Sequence, residues 1–213
     1  MGMTVVEKTI AAATDQDDVS AGDVVFTAWD LAMLSNRSAS GVGEVLQDLG
    51  IEQLNHPERL AVVSDHFHRP QDAGEAYLVH AAKAFARRYG IEHYFSPSRS
   101  GVATNQAAEN GLLVPGDIVI GADSHAASLG VLGALGIGVG ATDLAVALGI
   151  GQIWLKVPET VRIDVTGAQL PQLLSGRDLG LSIVKQLGAD LPLERMLEIH
   201  GDIISSLTVA DRF

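Results

Sequence analysis

Two short clusters in the sequence hold the residue types that move protons. Asp65-His66-Phe67-His68 follows the apolar run RLAVVS, and Asp123-Ser124-His125 follows IVIGA. A carboxylate beside an imidazole fixes the ring's tautomer and raises its basicity, which suits general acid–base work. The same residues have other uses. Asp65 and His66 could tie a loop to the backbone, Asp123 could cap a helix, and the His66-x-His68 spacing could hold a metal. Ser124 is not expected to act as a nucleophile activated by His125, because neighbouring side chains of an extended chain diverge. Glu198, in LEIHG, is a third candidate: a carboxylate in an apolar strand is costly to bury unless it is paired. Arg99 and Ser100, in SPSRSG, could bind a substrate carboxylate.

These residues need elements to position them. RLAVVSDH (59–66) and DIVIGA (117–122) read as strands that end in the two clusters. VVFTAWD (24–30), IEHYF (91–95), TVRIDVTG (160–167) and RMLEIHG (195–201) read as further strands. Helices are expected over 4–14, 38–50, 71–90, 101–110 and 175–188, with a serine cap opening the second and Gly90 closing the third. Residues 129–151 read as helix or helices. The glycines of GALGIGVGATD do not sit where a dinucleotide fingerprint requires them, so close helix packing is their expected role. Strands alternating with helices imply an α/β domain with a mainly parallel sheet, whose ligands gather at the carboxyl ends of strands. Asp65, His66, Asp123, Ser124 and His125 are therefore expected on one crevice. The softest boundary lies near 167–176, so the expected division is 1–167, an α/β domain carrying both clusters, and 168–213, the start of a second α/β unit.

Composition narrows the function. With 213 residues, 47% of them hydrophobic, the chain can bury a core. Its 26 acidic and 14 basic residues give a net charge of -12, which repels nucleic acid and anionic lipid, so neither is an expected partner. An anionic substrate would need a local basic group. There is no cysteine, hence no disulfide and no thiolate for zinc or an iron–sulfur cluster. Nothing resembling a signal peptide opens the sequence, so a cytoplasmic location is expected.

Taken in order, GDVV, WDL, VVSDHF, ARRYGIEHYF, VPGDIVIGADSH, GALGIGVGATDLAVAL, WLKVPETVRI and LTVADRF resemble the aconitase superfamily, with the large subunits of 3-isopropylmalate dehydratase and homoaconitase the nearest in pattern. The resemblance covers essentially all of this chain but only about the first half of such a subunit. It implies a three-layer α/β/α domain and stereospecific dehydration and rehydration of hydroxy-di- or tricarboxylates, with a [4Fe–4S] cluster as Lewis acid. The family's Asp-His pair falls on Asp65 and His66, its Asp-Ser-His on Asp123, Ser124 and His125, and its active-site glutamate on Glu198. A family histidine falls on Thr104, which is expected to join Arg99 and Ser100 in binding substrate. The threonine that usually follows Asp-Ser-His is Ala126 here. The family's cluster cysteines lie beyond the stretch that this chain matches.

The resemblance thus implies a lyase or isomerase acting on a small carboxylate or carbonyl compound by dehydration, isomerisation or ring formation. It carries no cluster of its own, and [4Fe–4S] enters only if a partner chain supplies cysteines. General acid catalysis alone gives typically about 10²–10⁴-fold, whereas hydroxide as leaving group gains several further kcal/mol from a metal. A second subunit or a homo-oligomer is expected. Two other readings stay open: a mononuclear metal enzyme using His66, His68 and His125 with Asp123 or Glu198, and a non-catalytic half of a split dehydratase.

Overall fold

Short, wholly apolar runs form the centre of a parallel sheet. LAML, LAVV and IVIG are each buried from end to end, as strands covered on both faces must be. In the computed structural model, which describes residues 2–14, 16–167, 174–188, 190 and 193–213, the chain runs α1 (Val5–Ala12), β1 (Val24–Ala28), β2 (Leu31–Ser35), α2 (Ala39–Asp48), β3 (Leu60–Val63), α3 (Ala73–Arg88), β4 (His93–Phe95), α4 (Ala103–Glu109), β5 (Ile118–Gly121), a 3-10 stretch (Ser124–Leu132), β6 (Leu135–Gly138), α5 (Ala141–Ile150), β7 (Gln152–Lys156), β8 (Glu159–Asp164), α6 (Gly176–Leu187), β9 (Arg195–His200), α7 (Asp202–Ser206) and α8 (Val209–Arg212).

Packing groups these into two units, Phe26–Leu155 and Met1–Val25 with Lys156–Phe213. The linker expected near 167–176 falls largely on residues 168–173, outside the described residues.

The larger unit is the expected α/β domain. Its five-stranded sheet has the order β4-β3-β2-β5-β6, and every pairing in it is parallel. One face carries Leu31, Met33, Ala61, Val63 and Val119 and packs on Ala103 and Ala107 of α4 and on Leu129 of the 3-10 stretch. The alternating residues Ala32, Leu34, Val62, Ile118 and Ile120 are equally buried on the opposite face. Helices α2, α3 and α5 bury Val42, Leu46, Ala82, Phe85, Leu144 and Leu148, and α2 packs against the other two. Since α4 lies on one face of this sheet, both faces are clothed.

Two elements differ from the sequence reading. The run 24–30 was expected as one strand, but Asp30 breaks it. The Asp30 carboxylate accepts the Ile118 N–H at 2.8 Å and the Asp30 N–H donates to Ile118 O at 2.8 Å, so a new strand, β2, starts in register with β5 and becomes the centre of the sheet. The expected helix over 129–151 is three elements. Gly133, at φ +80°, turns the chain, LGIG forms the edge strand β6, and only 141–150 is α-helical. The LGIG glycines serve strand-to-turn rather than helix packing. A Cβ on Gly136 would run into the carbonyl of Ala126, and one on Gly138 would lie 2.9 Å from Asp123 O.

The smaller unit pairs β8 with β9 in parallel from Glu159↔Arg195 to Asp164↔His200, with α6 in the connection between them. Helix α1 in this unit begins with a capping box between Thr4 and Glu7. No helix among the described residues is long and apolar enough to cross a membrane.

Candidate active site

Strand β3 stops at Val63, and the next three residues are held by the strands and loops around them. The Asn36 N–H donates to Val63 O at 2.9 Å, and the Ser100 hydroxyl donates to Ser64 O at 2.5 Å. The Ala103 N–H, at the start of α4, points to Asp65 Oδ2 at 3.4 Å. Phe67 takes a left-handed φ of +54°, which costs a bulky residue about 1–2 kcal/mol. Just before it, Asp65 Oδ1 meets His66 Nδ1 at 2.7 Å. The Asp65 side chain is only 9% exposed, against 38% for His66.

The second cluster has the same chemistry in a looser setting. Asp123 caps the 3-10 stretch. Its Oδ1 accepts the His125 N–H at 2.7 Å and also meets His125 Nδ1 at 2.7 Å. The cap and the orienting carboxylate, alternatives in sequence, are one atom here. The imidazole of His125 is 81% exposed, and Ser128 donates its hydroxyl to His125 O at 2.8 Å.

Both pairs open onto one cleft of about 250 Å³, which Asp65, His66, Asp123 and His125 line together with Ser35 and Thr104. The cleft sits at the carboxyl ends of β2, β3 and β5, as a parallel sheet requires. In each pair Nδ1 takes the carboxylate, so each imidazole keeps Nε2, which has no partner among the described residues, for a ligand. Two oriented imidazoles on a small cleft can take a proton from one atom of a substrate and give one to another.

Of the remaining expected site residues in the larger unit, Thr104 alone lines the cleft. Ser124 is exposed, and neither it nor the exposed Arg99 lines the cleft. Ser100 spends its hydroxyl on Ser64 O, which makes it a tether of the loop. Thr104 is on the cleft and 6% exposed. Glu198 belongs to the smaller unit, where Oε1 accepts the Val5 N–H at 2.9 Å and Oε2 meets His200 Nε2 at 3.3 Å. His68 is exposed, and among the described residues no three His, Asp or Glu side chains are gathered as metal donors, so the set His66, His68 and His125 is not assembled. Asn36, wholly buried, was not singled out from the sequence, and a lone Asn in SNRS gives no signal there.

Comparison with known proteins adds the following. Residues 39–213 match the aconitase family (aconitate hydratase). The 3-isopropylmalate dehydratase large subunit of Syntrophus aciditrophicus (strain SB) is 38% identical over 213 residues, all of this chain and 50% of that protein. Those of Aquifex aeolicus (strain VF5) and Moorella thermoacetica (strain ATCC 39073 / JCM 9320) are 37% and 38% identical, over all of this chain and 49% and 50% of theirs. The chain spans about half the length of the curated relatives it matches.

Proposed function

Because the chain belongs to the aconitase family, we propose that its larger unit is the acid–base half of a hydro-lyase site acting on a small hydroxy acid such as an isopropylmalate. One of His66 and His125 takes the proton α to a carboxylate, the electron pair closes the carbon–carbon double bond, and the other imidazole protonates the departing hydroxyl so that it leaves as water. Asp65 and Asp123 hold the two rings, and Thr104 contacts substrate. The observation that carries this reading is the shared cleft, with each Nδ1 2.7 Å from its own carboxylate.

A [4Fe–4S] cluster is held by thiolates, and these 213 residues include no cysteine, so they do not fit that group. Cysteines and further substrate-binding groups belong, on this proposal, to a partner polypeptide. The similar proteins are named as large subunits, which supports an assembly of more than one chain.

The test is to purify the chain alone and together with cysteine-bearing proteins that copurify from its source, and to follow formation of the unsaturated acid from 2- and 3-isopropylmalate. Turnover that disappears in both His66→Ala and His125→Ala supports the proposal. Turnover that survives either substitution overturns it, and so does a chain that copurifies with no such protein and is inert alone.

A further inference from the structure

His66 and His125 are built alike at Nδ1, but their backbones are not held alike. The His66 main chain is gripped from both ends by one side chain. Its N–H donates to Asn36 Oδ1 at 3.0 Å, and Asn36 Nδ2 donates to its carbonyl at 2.7 Å. Asn36 is itself fixed, since it is 0% exposed, follows the central strand β2 directly and donates its own N–H to Val63 O at 2.9 Å. The peptide that follows His66 enters a left-handed residue, Phe67, which left alone would relax toward an ordinary φ. A carboxamide accepts from the N–H with its oxygen and donates to the C=O with its nitrogen, so one neutral side chain serves both ends of the residue.

We propose that Asn36 is a positioning residue that fixes the His66 imidazole against Asp65 and so sets its tautomer. The inference rests on the proposed function only in giving His66 a proton to carry; the clamp itself can be tested without turnover. His125, paired with Asp123 at the same 2.7 Å but without a clamping amide, is a control within the same molecule.

Nitrogen-15 NMR of the imidazoles reads the tautomers directly. In the intact chain His66 should carry its proton on Nδ1 when neutral. In Asn36→Ala it should become a mixture of tautomers, while the His125 signals stay where they are. Asn36→Asp keeps the acceptor for the His66 N–H but sets a carboxylate against the His66 carbonyl, so it should fall between the two or match Ala. In the active assembly the Ala variant should lose about 10–100-fold in kcat with KM within about twofold, as expected for a displaced but present catalytic group. Unchanged His66 signals in both variants would overturn the clamp. So would equal changes at His66 and His125, which mark general loosening. Should Asn36→Ala not fold, the Asp variant decides alone: an undisturbed His66 tautomer there overturns the proposal. Absence of turnover in every form, with the tautomer shift present, counts against the hydro-lyase reading and not against Asn36.

Discussion

Asp65 and His66 are neighbours in sequence, yet their side chains meet, Oδ1 to Nδ1 at 2.7 Å. In a continuing strand they would point to opposite faces of the sheet. Strand β3 ends at Val63, before the pair, so Asp65 and His66 stand beyond the ladder as a carboxylate–imidazole pair at the rim of a cleft.

Removing the charge from Asp65 should cost both rate and stability. Asp65→Asn leaves His66 without its anionic partner, and a loss of about 10²-fold or more in kcat is expected. Asp65 is nearly buried and also meets the Ala103 N–H, so about 1–3 kcal/mol of unfolding free energy should go with it. Asp123→Asn should cost a similar factor in rate with less stability, since its side chain is 26% exposed. Steady-state kinetics of the assembled enzyme and urea melts of the chain separate the two effects.

His125→Ala should leave the fold alone. With 81% of its side chain exposed, its removal should change stability by no more than about 0.5 kcal/mol. Turnover should nevertheless fall to the level of the His66→Ala variant. A drop in melting temperature of many degrees would show that the ring is packed in solution.

Much of this was legible in the sequence. LAVV and IVIG read as buried strands because their β-branched runs are continuous and their ends abruptly polar, and so the cleft could be expected at those ends. The centre of the sheet was not legible, because VVFTAWDLAMLS shows no periodicity change and its break at Asp30 depends on two bonds to Ile118, 88 residues away. LGIG looked helical among neighbouring alanines and leucines. What makes it a strand is its ladder with β5, and what lets the next layer close on it is a backbone contact that only glycine permits. Arg99 and Ser100 were attractive by type, but placement put one in solvent and the other on a backbone carbonyl.

That glycine contact gives a steric prediction. In Gly136→Ala the new methyl meets the Ala126 carbonyl, and overpacking of this kind costs about 1–3 kcal/mol. The segment that must yield is the one carrying His125, so ligand binding should weaken as well. Gly130→Ala, with open space around it, should be neutral on both counts in melts and in titrations with substrate.

Acid should weaken the cap of α1. Hydrogen bonds from the Thr4 backbone and side chain hold the Glu7 carboxyl below its ordinary 4.5, with a smaller contribution from Ala21. A lowered folded value means the bond stabilises the chain fully above pH 4.5, and that its contribution fades as the pH falls through the folded value. Glu7→Gln should therefore be less stable than the parent near neutrality and should converge with it in acid. Urea midpoints taken from pH 7 down to pH 3 would show the two curves meeting, and parallel curves would contradict the assignment.

The glycine face of β6 has a broader consequence. The turn bearing Asp123 and His125 rests on bare main chain at Gly136 and Gly138, a floor whose contour is the same whatever residues decorate the turn's outer side. Ser124 and Ala127 on that turn are exposed, so their side chains can be exchanged without altering the floor beneath. A lineage can thus retune what the turn greets in solvent while the proton carrier keeps its seat.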